Sequence, residues 1–288
     1  MKFHKYQALG NDYLVLELEH PGTPSSALVQ LLCDRHYGVG ADGILLADLE
    51  SNDGLSLRIF NPDGSEAEKS GNGLRIFARY LWDSGRAGSE AFDVVTKGGQ
   101  VRCQVKDGGR QVAVDMGEAS FDSAKIPVAG PRRDVIGETI EFAGEKIQFT
   151  GVTVGNPHCV VHTDEVSAGL ATRLGPLLER HEIFPNRTNV QFVKVIDRNR
   201  IKIEIWERGA GYTLASGSSS CAAAAASVRL GLCTHDVTVA MPGGELSIFV
   251  SPDFSIHMTG PAEKVAEGTI APELQRDAML IYIKSRHP

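Results

Sequence analysis

The strongest constraint on this chain is that its two halves partly repeat each other. Ser70-Gly71-Asn72-Gly73 runs into Leu74-Arg75-Ile76-Phe77-Ala78-Arg79-Tyr80-Leu81, and Ser216-Gly217-Ser218-Ser219-Ser220-Cys221 runs into the alanines 222–226. Ser70 and Ser216 are 216 − 70 = 146 positions apart, as are Asn61 and Glu207 (207 − 61 = 146). Leu9-Gly10-Asn11 and Val154-Gly155-Asn156 are offset by 156 − 11 = 145. Three local signals at nearly one offset, about half the 288-residue chain, argue for an internal duplication. Two similar halves are expected to face each other across a pseudo-two-fold axis. The first reads as ending near residue 117. The segment after Pro261 reads as returning to it, which gives domains of 1–117 plus 262–288 and of 118–261.

The second copy shows what such a stretch builds. Glu207-Arg208-Gly209-Ala210-Gly211 is polar and glycine-rich; hydroxyl residues follow, then an apolar segment to Leu230 that Gly231 ends. This reads as strand, loop and the N-terminus of a helix apolar on every side, hence buried. A helix N-terminus offers free backbone N–H groups and partial positive charge, which suit a carboxylate or a phosphate. A loop that places Ser and Gly there is either a capping loop or an anion cradle. The upstream copy favours the cradle, because twin tips can hold one small molecule between two hydroxyls.

Composition narrows the classes. A net charge of −7 is wrong for a nucleic-acid or anionic-membrane binder. No apolar run reaches the ~18 residues of a membrane span, and Met1-Lys2-Phe3-His4-Lys5-Tyr6 lacks the apolar region of a signal peptide, so a cytoplasmic protein is expected. Five cysteines, odd in number and without a Cys-x-x-Cys, indicate neither a disulfide framework nor a zinc ribbon. They read as small buried hydrophobes. Cys221, one turn beyond Ser216, has the best claim to chemistry.

Patterning predicts strands at 3–6, 13–17, 44–47, 55–60, 92–96, 101–106 and 111–116, and helices at 27–36 and 74–84. In the second half it predicts strands at 140–142, 145–150, 160–162, 188–193 and 201–206, with a helix at 170–181. The glycine-rich loop 37–43 precedes a strand instead of joining strand to helix, so it is not a dinucleotide fingerprint; it reads as a wall of the cleft. Asn11 reads either as a turn residue tolerating positive φ or as a polar contact, and Asn156 at the matching place favours the contact.

At this point the residues resemble a known family. Leu9-Gly10-Asn11-Asp12, residues 34–43, Arg58-Ile59-Phe60-Asn61-Pro62-Asp63-Gly64-Ser65, Ser70-Gly71-Asn72-Gly73, Gly155-Asn156-Pro157-His158, Arg187-Thr188-Asn189-Val190, Glu207-Arg208-Gly209-Ala210-Gly211 and Met258-Thr259-Gly260-Pro261 are similar to the diaminopimelate epimerases. The resemblance implies an α/β (α+β) fold: two pseudosymmetric domains, each a curled mixed β-sheet around a central helix, with a cleft between them. It implies inversion of an amino-acid α-carbon without cofactor or metal, one cysteine removing the proton and a second supplying one on the opposite face. It also implies a homodimer, and membership of lysine and peptidoglycan precursor synthesis for a true diaminopimelate epimerase. By that resemblance the catalytic positions are Ser70 and Ser216, and the substrate-binding ones are Asn11, Asn61, Gly71, Asn72, Asn156, Asn189, Glu207, Arg208, Gly217 and Ser218. His158 is a possible auxiliary base.

The chain departs from the family at the point of chemistry. Both cysteine positions hold serine, Tyr212 stands where the family usually has Glu, and Ser219 where it often has Gly. Gly43 follows Asp42 where some members carry a substrate-contacting Gln. A thiol has a reference pKa of ~8.5 and drops further at a helix N-terminus, whereas a serine hydroxyl is a far weaker acid that needs an adjacent base. Three readings stay open: natural divergence doing related proton chemistry, a silent amino-acid binder, or an epimerase with both cysteines replaced in the laboratory. Because Tyr212 and Ser219 differ too, divergence is favoured. A related dehydratase needing one proton-transfer group is the remaining enzymatic alternative. The asparagines with Glu207 and Arg208 suit a zwitterion: Arg208 can clamp a carboxylate, and Glu207 with asparagine carbonyls can take an ammonium group. The expected partner is a small amino acid.

Overall fold

The computed structural model describes residues 1–17, 24–49, 54–142 and 145–274. Residues 275–288 of the first expected domain, and Thr23 before the first expected helix, lie outside the described residues. The chain divides into two compact units, one from Met1 to Val114 plus the residues from Pro261 onward, the other Asp115–Gly260. Along the first unit run β1 (Lys2–Ala8), β2 (Asn11–Glu17), α1 (Ser26–Cys33), β3 (Ile44–Asp48), β4 (Ser56–Phe60), β5 (Glu66–Ala67), α2 (Gly71–Asp83), β6 (Phe92–Thr96), β7 (Gly99–Lys106) and β8 (Gln111–Glu118). The second carries β9 (Glu138–Phe142), β10 (Glu145–Thr153), β11 (Pro157–His162), α3 (Ala168–Glu179), β12 (Asn189–Asp197), β13 (Arg200–Glu207), β14 (Gly211–Thr213), α4 (Gly217–Arg229), β15 (Asp236–Met241), β16 (Gly244–Val250) and β17 (Ser255–Pro261). β18 (Glu263–Thr269) pairs antiparallel with β1.

Each unit uses the same order of pairings. In the first, β1 and β2 form an antiparallel hairpin, β2 runs parallel to β3, and β3–β4 and β4–β5 are antiparallel. Then β4 lies parallel to β6, and β6–β7 and β7–β8 are antiparallel. In the second, β10–β11 is the hairpin, β11 runs parallel to β12, and β12–β13 and β13–β14 are antiparallel. Then β13 lies parallel to β15, and β15–β16 and β16–β17 are antiparallel. Parallel neighbours need a crossover, and each parallel pair encloses one helix: α1, α2, α3 and α4 in turn. The duplication is thus one of topology as well as letters.

The central helices explain how the sheets curl. Within its unit α2 packs on β1, β2, β3, β7 and β18, and α4 on β10, β11, β12, β13, β15 and β16. A helix touching so many strands is wrapped, and both helices are apolar nearly all round for that reason. Leu74, Ile76, Phe77, Ala78 and Leu81 of α2 are fully buried, as are Ala222 to Ala226 of α4. Alanine has the highest helix propensity and lets the strands approach closely. After α4, Gly231 takes a left-handed φ of 71° and its N–H returns to Val228 O, which is the chemistry of a glycine stop. The crossover helices cover the outer faces: Val29 and Leu32 of α1 pack on Leu14, Ile44, Leu46 and Phe60, and Leu174 and Leu178 of α3 on Phe149, Phe184 and Phe192.

Helix boundaries differ from the patterned expectation for local reasons. α1 stops at Cys33, short of the expected residue 36, because the Asp34 carboxylate accepts the N–H groups of His36 and Tyr37 at 2.7 Å each and turns the chain. α2 begins at Gly71, three residues before its apolar period does, because Ser70 caps it. α3 spans Ala168–Glu179, displaced from the expected 170–181, with Ser167 Oγ accepting the Leu170 N–H. Among the described residues no helix is long and apolar enough to cross a membrane.

Candidate active site

The repeated tips are two helix N-termini at one interval. α2 and α4 start 217 − 71 = 146 residues apart and end 229 − 83 = 146 apart. Ser70 and Ser216 are the N-cap residues, with φ/ψ of −140°/120° and −148°/124°. Gly71 and Asn72 open one helix, Gly217 and Ser218 the other, so the leading N–H groups of both have no intrahelical acceptor. All six positions therefore stand at helix starts within their own units.

The two serines are not equivalent. Ser70 Oγ accepts the Gly73 N–H at 3.1 Å, the ordinary capping bond, and stands 3.5 Å from the Tyr13 hydroxyl. Ser216, only 5 % exposed, makes no such cap bond. It interacts instead with the carboxyl of Glu207, the last residue of β13. Burial raises the proton affinity of that carboxyl and Ser216 opposes the rise. One tip carries a hydroxyl occupied in holding the helix. The other carries a hydroxyl beside a carboxyl shifted toward the range of a general base.

The first unit surrounds its tip with amides and charges. The positive φ values fall on Leu9 (57°) and Gly10 (86°), while Asn11 is the first residue of β2, opposite Ala8; the reading of Asn11 as a positive-φ turn residue does not hold. Asn11 Nδ2 donates to Asp42 at 3.0 Å, and its Oδ1 accepts from Asn72 Nδ2 at 2.9 Å. Asn72 Oδ1 in turn accepts from Arg75 Nη2 at 3.0 Å. Asp12 is gripped by Lys5 at 2.9 Å and by both terminal nitrogens of Arg35. Burial would raise its pKa, but Arg35 and Lys5 outweigh that and lower it to about 2. Asn61 is exposed and its amide donates to Ser65 Oγ at 3.0 Å, so its side chain also closes the turn after β4. Gly43 gives room to Tyr13: a Cβ there would come within 2.6 Å of the ring.

In the second unit the polar side chains tie loops together. Asn189 Oδ1 accepts the Arg208 N–H and its Nδ2 donates to Pro157 O, both at 2.9 Å, which joins the Glu207 loop to the turn before β11. Glu179, 2 % exposed at the end of α3, accepts from Trp206 Nε1 at 2.8 Å and from the Gly209 N–H at 3.1 Å. The Arg208 side chain is exposed and reaches Asn186 O at 3.2 Å. His158 is fully buried, with Nε2 2.9 Å from Asn156 Oδ1. Burial lowers its pKa to about 3, with Gln191 opposing and Arg208 adding to the fall. The ring is therefore neutral at physiological pH, and its nearer task is to hold Asn156.

Two of the residues read from the sequence as departures from the family pattern are absorbed by this packing. The Tyr212 hydroxyl donates to Glu204 at 2.8 Å, and burial, then Glu204, pushes its pKa up to about 12. Ser219 Oγ accepts from Gln191 Nε2 at 3.0 Å. Arg75 and Glu179 were missed by sequence reasoning, and Asp42, within the loop read as a wall of the cleft, was given no role. A signal existed for Arg75, a charge inside the apolar period of α2; Glu179 carries none. Cys221 is wholly buried. Among the described residues no three His, Cys, Asp or Glu side chains gather as metal ligands.

Comparison with known proteins assigns the family. The sequence profile of diaminopimelate epimerase matches residues 3–122 and 150–265. The chain is 53 % identical over 278 residues to diaminopimelate epimerase 2 of Nostoc sp., covering 95 % of this chain and 97 % of that one. It is 42 % identical over 274 residues to the diaminopimelate epimerase of Moorella thermoacetica, covering 93 % and 98 %. Its fold is similar to the crystal structure of a probable proline racemase from Agrobacterium radiobacter, with a TM-score of 0.69 at 15 % identity over 94 % of this chain and 93 % of the other. The chain belongs to the diaminopimelate epimerase family.

Proposed function

We propose that this protein is an isomerase that inverts the α-carbon of diaminopimelate or a similar amino acid without a cofactor. Family membership supports the reaction class, and the observation that carries the reading within the chain is the pair of helices that open on a serine at one interval. In this mechanism the α C–H bond breaks toward Ser216, whose own proton passes to the Glu207 carboxylate. The electron pair left on the α-carbon delocalises into the substrate carboxylate. The leading N–H groups and positive ends of the helices stabilise the charge that develops there. The Ser70 hydroxyl gives its proton to the opposite face and regains one from solvent, while Glu207 returns the proton it took to solvent, which restores both groups. Asn11, Asn72, Asn156, Asn189 and Arg208 hold the amino acid, with Asn61 beside them. The serines occupy the positions at which the family resemblance implies cysteine, so the rate is set by how well Glu207 compensates for a weaker acid.

A second reading has one observation in its favour, the inequality of the tips. With Ser70 occupied as a cap and only Ser216 beside a carboxyl, a one-base reaction such as loss of water from a β-hydroxy amino acid fits the same residues. One experiment tests both: the protein is incubated in deuterated buffer with single stereoisomers of diaminopimelate and of β-hydroxy amino acids. Deuterium at the α-carbon with inversion supports the epimerase, and keto-acid release supports the dehydratase. Neither product from a protein that binds the amino acids would leave a silent binder.

A further inference from the structure

We propose that Asp42 and Arg75 are positioning residues that fix which way the side-chain amides of Asn11 and Asn72 point, so that the first unit presents N–H donors to its ligand. This rests on the reading above that Asn11 and Asn72 contact the substrate. A side-chain amide is nearly symmetric in shape, and only its hydrogen-bond partners decide where nitrogen and oxygen lie. Here the partners at the two ends have opposite and unambiguous characters. Asp42 Oδ2 accepts from Asn11 Nδ2 at 3.0 Å and from the Asp12 N–H at 3.1 Å, while Arg35 takes Asp42 Oδ1 at 2.7 Å. At the other end Arg75 Nη2, which can only donate, meets Asn72 Oδ1 at 3.0 Å. Asn72 Nδ2 and Asn11 Oδ1 close the chain at 2.9 Å.

Only one assignment satisfies all three contacts. Turning Asn11 alone sets oxygen against Asp42 and N–H against N–H in the middle. Turning Asn72 alone sets N–H against Arg75 and oxygen against oxygen in the middle. Turning both leaves the centre intact and spoils both ends. The favoured state uses one N–H of each amide and leaves one N–H of each for a ligand. Together with the leading backbone N–H groups of α2, these form a donor array that suits a carboxylate. The sequence-based expectation that asparagine carbonyls take an ammonium group therefore does not extend to this pair.

The array is set from inside the protein before any ligand arrives. Arg75 is wholly buried, also reaching Gly71 O at 3.4 Å and Pro261 O at 3.3 Å, and Asn72 is only 6 % exposed. A buried guanidinium is costly to desolvate, and here it both holds the first carbonyl of α2 and orients the next side chain. Donors fixed in advance need no reordering when the carboxylate binds.

The test compares wild type with Asp42→Asn, a nearly isosteric change that offers Asn11 a donor as well as an acceptor. Two probes of equal length are titrated, heptanedioate and heptane diamine, and KM and kcat are measured with the amino acid. Wild type should prefer the dicarboxylate. In Asp42→Asn that preference should shrink by roughly tenfold or more, the size of a lost bond to a charged group. KM should rise more than kcat falls, as expected for binding common to ground and transition states. Arg75→Lys, which keeps charge but loses the planar fork, should move the ratio the same way, and a thermal melt of each variant reports folding. A folded Asp42→Asn variant with an unchanged preference overturns the proposal. Wild type that binds the dicarboxylate without turnover defeats the isomerase reading and leaves the lock to be judged by the ratio. Wild type that binds neither probe overturns the lock.

Discussion

Removing the hydroxyls of the two N-cap residues one at a time should cost the two units differently. Ser70→Ala deletes the 3.1 Å bond to the Gly73 N–H. Losing an N-cap of this kind costs about 1 kcal/mol, within a range of about 0.5–2. Ser216→Ala deletes no cap bond although the residue has almost the same backbone angles; it loses instead its bond to the Glu207 carboxyl, so its further cost in a Glu207→Ala background, where that bond is already gone, should stay within about 0.5 kcal/mol. The chain carries its own reporters, since Trp82 lies in α2 of the first unit and Trp206 in β13 of the second, and the chain has two tryptophans. Urea unfolding of each serine variant in Trp82-only and Trp206-only backgrounds (the other tryptophan replaced by Phe) reads each unit separately. For a slope of about 2 kcal/mol/M the midpoint of the first unit should fall by roughly 0.5 M in Ser70→Ala. The midpoint of the second unit should hardly move when Ser216→Ala is added to Glu207→Ala. A loss in that background equal to the one in Ser70→Ala would mean that Ser216 also serves as a cap, and the argument that its hydroxyl is engaged with Glu207 and not with the helix would fail.

Two further outcomes follow from the same geometry. Replacing both serines by cysteine should raise α-hydrogen exchange by about 10²–10⁴-fold, the usual range for a well-matched acid–base group, because a thiol at a helix N-terminus ionises near neutral pH; exchange measured by mass spectrometry in deuterated buffer decides it. Glu207 should give the pH profile a rising limb. Its carboxyl is raised above the ordinary 4.5 by burial, against the opposing effect of Ser216, so the base form appears only as pH climbs through the raised value. Glu207→Gln should flatten that limb. The same shift makes the neutral carboxyl the stabilising form, its contribution complete below the unfolded value and lost as pH rises through the folded one.

What the sequence made legible, and what it hid, divides by the range of the interaction. The duplication was visible because Gly10 and Gly155, Gly71 and Gly217, and Ser70 and Ser216 answer to backbone needs a few residues long: a turn, a helix start, a cap. The first turns of α2 and α4 were not visible as helix, because Gly71-Asn72-Gly73 and Gly217-Ser218-Ser219 carry no apolar period, and the helix there is set by its cap and by packing further along. The amide lock was hidden altogether. Asp42, Asn11 and Arg75 are far apart in the chain and meet only through strand register and helix placement. Asn189 reads as a polar candidate for substrate, yet both ends of its amide already hold backbone groups, a fact that no local pattern contains.

The inequality of the tips bears on why serine is tolerated at both. Ser is a strong N-cap residue, so a hydroxyl there trades acidity for helix stability, and at Ser70 the first unit receives that benefit through the Gly73 bond. At Ser216 no such bond exists, so capping gives no reason for the residue. What the second unit offers instead is Glu207, held beside Ser216 on a loop that Glu179 and Asn189 anchor. The neighbouring Tyr212 and Ser219 are drawn into bonds with Glu204 and Gln191 and leave that carboxyl in place. Proton removal should therefore be fastest from the stereoisomer whose α-hydrogen faces Ser216. Exchange measured separately from each isomer should show that bias in the wild type. Cysteine at residue 70 alone should reduce it, because its thiolate gives the slower face a base of its own.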